Sequence, residues 1–415
     1  MMKFIPSTAQ AASFMLMVTG NVLLAQPVMA QVKPPPPPVT TPFAISKAAL
    51  ASITEYLALD LNNLFQYASP GLPAYYINPT PVVTTPPTPP FGAADNTPPD
   101  DRITNAAATL GRVLFNDKRL SINNTVSCAT CHQQAAGFTD VRRFSAGALP
   151  NTLGTAHAMR LGNVSFYRPG SMFWDKRAAS VEAQSTQPIQ NINEMGFDAS
   201  HGGITAVIEK MQTLPYYPAL FQWVYGTPAI TELKMQRALA QYERSMVSVG
   251  SRWDTGFAKV FNPLAADKGL SLDIASFTAQ ENTGRRLFML GPQQGGLACA
   301  GCHVPPTFAL NGNSLSNGLD AGATTVFKAP SLKNVGIGKA FMHDGRFATL
   351  EQVVDHYDHG VKVGPSVDKR LLNPAGQPRL LNLSVANKAA LVAFMKTLTD
   401  TAFLSDPRYS DPFNK

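Results

Sequence analysis

The chain has 415 residues, enough for two domains of ordinary size beyond an N-terminal segment. Its formal net charge is +7, but the lysines and arginines form no basic run and carry no nucleic-acid fold signature, so a nucleic-acid partner is not expected. Charged residues make up only 15% and prolines number 34, so much of the surface is expected to be loop with neutral polar side chains.

Residues 1–30 read as a secretory signal. Lys3 is the only charge before Lys33, the stretch from Ala11 to Ala25 is apolar, and Val28-Met29-Ala30 offers a small-residue cleavage site before Gln31. The competing reading is a membrane anchor. Thr19, Gly20, Asn21, Gln26 and Pro27 interrupt the apolar run and no other segment looks transmembrane, so no stable membrane span is expected. Residues 31–100 read as a Pro-rich arm. It contains the extended run Pro34 to Pro38, a short helix within 44–67 carrying Leu57, Leu61 and Leu64, and a stretch from Pro70 to Pro99 that wraps the surface or links.

A first domain is expected over 101–265. Leu110, Val113 and Leu114 give a helical apolar face, and a loop leads to Cys128-Ala129-Thr130-Cys131-His132. Residues 133–173 are loop-rich. Helices follow near 180–187 and 231–248, the second capped by Thr231 and striped with Leu233, Leu239, Tyr242 and Met246. A second domain is expected over 266–415. A capping box, Thr278 to Glu281, opens a helix with Leu287, Phe288 and Leu290, and Gly295-Gly296 precedes Cys299-Ala300-Gly301-Cys302-His303. Another box, Thr349 to Gln352, opens a helix through Tyr357 that Gly360 can stop, and a last helix runs over about 384–398.

C-x-x-C-H is the attachment signature of c-type haem. The two thiols add to vinyl groups along one porphyrin edge and the following histidine lies beneath the iron. Cys128, Cys131, Cys299 and Cys302 are then cofactor-binding, and His132 and His303 are iron ligands. A four-cysteine zinc site would have to join two distant pairs and would not need the histidines. Two thioredoxin-like pairs leave both histidines unexplained, and two structural disulfides would be tight loops of a usually redox-active kind. Both copies carry the histidine and no cysteine is left over, which favours two covalent haems. The fold class expected is mostly α: two cytochrome c-like haem domains with long loops, related by internal duplication. Export fits, because c-type haem is attached outside the bacterial cytoplasm; a periplasmic location is expected. Haem propionates would offset part of the positive charge, and a basic rim would suit an acidic redox partner.

Each iron has a second axial position. A filled one gives electron transfer, an open one binds peroxide, and cleavage of the O–O bond needs a distal acid–base group. His157, His201, His343, His356 and His359 remain uncommitted, with Met, Tyr, Glu and Trp also to be searched.

The order of motifs resembles the bacterial di-haem cytochrome c peroxidase family, which includes the methylamine-utilisation maturase (MauG-type) enzymes. The resemblance runs from about Leu110 to Leu398. It rests on the two C-x-x-C-H motifs, Phe173-Trp174-Asp175-Lys176-Arg177-Ala178, Gln187-Pro188-Ile189-Gln190-Asn191, Glu194-Met195-Gly196, Ala329-Pro330-Ser331-Leu332-Lys333-Asn334 and Met342-His343-Asp344-Gly345. The resemblance implies that the His132 haem reacts with hydrogen peroxide, with Glu194 as distal acid–base group and Gln184 and Pro188 flanking the same pocket. It implies that Trp174 carries electrons or a hole between the haems, and that the His303 haem is the electron-transfer haem. Without the family, Glu194 reads as a surface carboxylate and Trp174 as a core aromatic.

Three departures from the family pattern stand out. Where the peroxidases place a ligating methionine fourteen residues after the H-D-G histidine, this chain has Tyr357, as in the maturase branch; a phenolate favours ferric over ferrous iron. His356, His359 and Met342 are the alternative ligands. No histidine lies between His132 and His157, so the loop histidine that blocks the first iron in the peroxidases is missing; His157 either ligates the first iron or sits beside a calcium or water. The side-chain ligand of the family's interhaem calcium is also replaced, which leaves carbonyls near Gly338 and Ala340, or Asn163, to hold one calcium ion.

The function expected is an exported di-haem c-type peroxidase that reduces hydrogen peroxide with electrons from a small c-type cytochrome or cupredoxin. The alternatives are a maturase-like enzyme oxidising a residue of a partner protein, and a non-catalytic di-haem electron carrier. The sequence names no substrate and gives no signal for oligomeric state.

Overall fold

The computed structural model describes residues 41–77 and 95–414, apart from residues 169, 311, 313 and 314. The segment read as a secretory signal and the polyproline run lie outside the described residues. The helices are α1 Lys47–Tyr56, α2 Ala74–Ile77, α3 Asn105–Asn116, α4 Cys128–Cys131, α5 Val181–Ser185 and α6 Gly203–Gln212. They continue as α7 Tyr216–Tyr225, α8 Glu232–Ser245, α9 Arg252–Val260, α10 Ala279–Met289, α11 Leu350–Asp355 and α12 Val385–Lys396. Among the described residues the β structure is limited to isolated bridges, so the chain is mostly helical with long loops.

Hydroxyl side chains start these helices. Thr104, Ser180, Thr231, Thr278, Thr349 and Ser384 each accept a backbone N–H from the first turn that follows. The expected capping boxes at Thr278 and Thr349 are both formed. The helix expected within 44–67 is shorter than its leucine spacing suggested. Asp60 accepts from the amides of Asn62 and Asn63, an Asx turn that takes Leu61 and Leu64 out of the helix and into a packed loop. In α8 the stripe is Met235, Ala238, Leu239 and Tyr242, whereas Leu233 is 55% exposed.

The chain builds each half around a helix crossing made at a glycine. A Cβ at Gly111 of α3 would collide with the Ala238 carbonyl of α8, and one at Gly284 of α10 with the Ala390 carbonyl of α12. Four residues further on, Phe115 and Phe288 place their rings 6.5 and 6.4 Å from the imidazoles of His132 and His303. Later in each half an asparagine takes the left-handed conformation, Asn163 at φ 64° and Asn334 at φ 63°, and opens a 3-10 turn. Their amides donate to the carbonyls of Met246 (2.8 Å) and Leu398 (2.9 Å), just beyond α8 and α12. Isolated bridges Met172–Ala178 and Phe341–Phe347 then precede the capped starts of α5 and α11.

One apolar cluster gathers α1, α3, α7 and α8 and receives Cys128 and Cys131; another gathers α9, α10 and α12 and receives Cys299. A smaller cluster draws Val164, Tyr167, Met172 and Ala240 together with Leu310 and the neighbouring Cys302. The Pro-rich arm is more than a surface strap. Tyr75 and Tyr76 of α2 are 1% and 2% exposed and belong to the second cluster.

Candidate active site at the two C-x-x-C-H motifs

The first motif is a single helical turn. The Ser127 amide donates to the Thr130 hydroxyl at 3.0 Å, and the His132 amide closes the turn on the Cys128 carbonyl at 2.8 Å. The second motif begins from Ala298 in the left-handed conformation and forms a 3-10 turn, Cys299–Gly301. All four cysteines are free. Burial pushes every one of these thiols up, Cys299 to about 12 and Cys302 to about 11. The pairs pack against different apolar clusters, so nothing brings them together as a four-cysteine site.

Both motif histidines are oriented alike. His132 Nδ1 lies 3.0 Å from the Phe138 carbonyl and His303 Nδ1 lies 3.3 Å from the Phe308 carbonyl. A carbonyl only accepts, so Nδ1 carries the proton and Nε2 keeps its lone pair. Burial lowers both imidazoles, His303 to about 4, which keeps them neutral. Two free thiols one turn apart and a neutral imidazole with Nε2 uncommitted are the donor set a c-type haem requires.

A cavity of about 420 Å³ opens beside the second motif. Cys299, Cys302 and His303 line it together with Tyr357, Met342 and Trp174. Its size is that of a small-molecule or cofactor site. Tyr357 stands in a π-turn, His356–Gly360, that interrupts the expected α-helix directly after α11. Burial pushes its phenol up to about 12. The other candidate ligands are placed differently. His356 Nε2 is engaged at 3.1 Å from the Asn317 carbonyl, and the His359 side chain is 64% exposed beside Asp358. Met342 also lines the cavity; its sulfur accepts from Asn317 Nδ2 at 3.3 Å, and the Asn317 side chain hydrogen-bonds Tyr357 as well.

Around the first motif, Glu194 is half-buried. Its Oε1 accepts from Asn191 Nδ2 at 2.9 Å, and burial raises its pKa against the opposing charge of Arg177. After burial, nearby carboxylates hold the thiols of this motif up, with Glu194 acting on both Cys128 and Cys131. Pro188 is tied to the same loop, because its carbonyl accepts from the amides of Met195 (3.2 Å) and Asn191 (3.3 Å). Gln184 closes the last turn of α5 and is half-buried. Trp174 donates through Nε1 to the His157 carbonyl at 2.8 Å. His157 keeps no nitrogen free: Nε2 lies 3.1 Å from the Thr139 hydroxyl and Nδ1 lies 3.2 Å from the Arg143 carbonyl. The Asn163 side-chain oxygen accepts from the Ser248 amide at 2.9 Å, so it is committed within the fold.

Sequence reasoning passed over two cations that also line the cavity, the half-buried Arg160 and the buried Lys328. Lys328 Nζ lies 3.1 Å from Met172 Sδ and 4.2 Å over the Tyr167 ring. Burial pulls it down to about 7 and pushes Glu243 of α8 up to about 8, each against the other's charge. The available signal was a charge inside an otherwise apolar stretch, as in Ala158-Met159-Arg160-Leu161-Gly162.

A sequence model of the di-haem cytochrome c peroxidase family matches residues 105–260 and 278–369, and the chain belongs to that family. Membership makes it a di-haem peroxidase-class oxidoreductase and implies two c-type haems. Among its relatives, cytochrome c551 peroxidase of Nitrosomonas europaea is 30% identical over 312 residues, covering 70% of this chain and 79% of that protein. Methylamine utilization protein MauG of Methylorubrum extorquens is 29% identical over 321 residues, covering 72% of this chain and 80% of that protein. A solved MauG-like protein associated with microbial copper homeostasis superposes with a TM-score of 0.61 at 26% identity, over 82% of this chain and 98% of its own.

Proposed function

We propose that the chain is an exported, periplasmic di-haem peroxidase that reduces hydrogen peroxide at the His132 site. The observation that carries this reading is an asymmetry. A half-buried carboxylate, Glu194, carries charge that reaches the first motif's thiols, whereas a phenol, Tyr357, lines the cavity of the second. The irons supply peroxide binding and electron exchange when the cofactors are bound. Glu194, held by Asn191 and raised by burial, moves a proton between the peroxide oxygens. In this reading Gln184 and Pro188 flank the peroxide site, Pro188 through its carbonyl bond to the Met195 amide. Trp174, fixed by its bond to the His157 carbonyl, relays electrons or oxidising equivalents towards the His303 site. Tyr357, which lines the cavity with His303, would hold the second iron when the cofactor is bound. The uncommitted lone pairs of the motif histidines support the ligand assignment, and the paired geometries of Gly111 and Gly284, Phe115 and Phe288, and Asn163 and Asn334 support an internal duplication with domains at 101–265 and 266–415. No helix among the described residues is long and apolar enough to cross a membrane.

The electron source in this reading is a small redox protein. A maturase-like reaction on a partner protein is the second reading, and Tyr357 in the cavity favours it because a phenolate ligand stabilises oxidised iron. Peroxide titration of the diferric protein tests the proposal: a stoichiometric change in haem absorption without prior reduction is expected. Two low-spin ferric EPR signals with no high-spin component, and no response to peroxide, would leave only an electron carrier. A change in a co-purified partner protein, rather than turnover with a reduced cytochrome, would select the maturase reading.

A further inference from the structure

Arg160 is a guanidinium with no countercharge. Among the described residues it makes no ion pair, and burial alone holds its pKa down to about 10. Its hydrogen bonds both leave from Nη1, to the Ala136 carbonyl at 3.1 Å and the Asn334 carbonyl at 3.0 Å. Ala136 lies in the turn directly behind His132, and Asn334 opens the 3-10 turn of the second half. One side of a single guanidinium therefore bolts the loop of one motif to the scaffold of the other. Arg160 is also among the residues that line the cavity beside the second motif.

A buried cation left unpaired is costly, and a fold keeps one where a bound anion completes it. The cofactor implied by family membership brings such anions. A c-type porphyrin is anchored at its thioether edge and carries two carboxylates at the opposite edge. The cations whose charge reaches Cys299 and Cys302 are Arg379 and Arg370, and Arg370 is spent on Asp368. Arg160 stands elsewhere on the lining, on the Asn334 turn and against Gly338, where an added Cβ would meet its Nη2 at 3.2 Å.

We propose that Arg160 binds a carboxylate of the cofactor at the second site and ties it, through Nη1, to the backbone behind the first motif. The proposal rests on the di-haem reading. Arg160 is a positioning residue: it touches neither peroxide nor iron, and it acts by charge. A fixed positive charge near the second iron favours its reduced form and opposes the anionic pull of Tyr357. The site therefore holds a balance between a ligand that lowers the potential and an arginine that raises it.

The test uses the full-length protein and the variants Arg160→Gln and Arg160→Lys, with haem counted by pyridine haemochrome and both midpoint potentials followed by spectroelectrochemistry. Both variants are expected to keep two covalent haems. Arg160→Gln should lower the midpoint of the His303-side haem and leave that of the His132-side haem nearly unmoved, and Arg160→Lys should restore most of the shift. An unmoved second midpoint in a two-haem Arg160→Gln protein overturns the proposal. Fewer than two haems in the unaltered protein would instead overturn the di-haem reading. Should Arg160→Gln fail to accumulate, Arg160→Lys decides. A point-like ammonium cannot hold two carbonyls and a carboxylate in the same way. The propionate-bending band of the second haem in resonance Raman should then shift, and an unchanged band refutes the assignment.

Discussion

The two halves of this chain share a frame and differ in what fills it. Each crosses two helices at a glycine, sets a phenylalanine near the motif histidine and fixes Nδ1 of that histidine on a backbone carbonyl. In both halves the frame leaves Nε2 of the motif histidine with its lone pair. The difference begins eight residues after the helix caps Ser180 and Thr349. The first half there has Pro188, which cannot ligate and whose carbonyl braces the Glu194 loop; the second has Tyr357, turned into the cavity by a π-turn. Two sites built on one plan thus differ by a few side chains, and the proposed function assigns them opposite tasks: an acid to move protons and a phenol to hold oxidised iron.

That contrast can be broken from either side. Glu194→Gln keeps the size and the contact with Asn191 but removes the titrating proton. The peroxide-driven absorption change should slow by about 100-fold or more, with haem content unaltered. A rate within a few-fold of the original would strip Glu194 of its role. Tyr357→Phe should act only on the other half, changing the absorption and EPR of the second haem while the first haem keeps its signals. If the second haem's spectrum stays the same, another group, with Met342 the nearest candidate, is the ligand.

The shared frame offers a smaller effect. Gly284→Ala puts a methyl group against the Ala390 carbonyl, a backbone atom that cannot rotate away. A loss of about 1–3 kcal/mol in denaturant stability is expected, as for overpacking elsewhere. Gly111→Ala should cost a similar amount, because α8 meets α3 in the same way. A large penalty at one glycine and none at the other would show that the frames differ in rigidity as well as in contents.

Much of this was legible in the sequence because it is local. A C-x-x-C-H turn, a Thr-x-x-Glu box or an i, i+4 apolar face depends on neighbours a few residues away. The Asx turn at Asp60 was equally local, but the leucine spacing concealed it. What escaped was set by distant partners. Leu233 fits the apolar stripe by period, yet it lies exposed in the fold. Arg160 reads as a loop cation until the fold brings Ala136 and Asn334 to the same nitrogen. The π-turn at His356–Gly360 has no sequence period of its own, and Tyr357 rather than His356 lines the cavity there, together with Val353 four residues earlier.

The smallest effect expected concerns two histidines that are not in either motif. His157 of the first half and His356 of the second are both held neutral by burial, below the ordinary value of 6.5. In the unfolded chain each takes a proton near that value, so below it the unfolded state binds more protons than the folded one. Their contribution to stability is therefore complete above about pH 6.5 and is lost as the pH falls towards the folded values. Urea midpoints at about pH 7.5 and about pH 5 should differ in that direction, and the difference should shrink in His157→Gln and in His356→Gln. His157 sits under Trp174 and His356 beside Tyr357, so a pH dependence confined to one variant would show which half loosens first in acid.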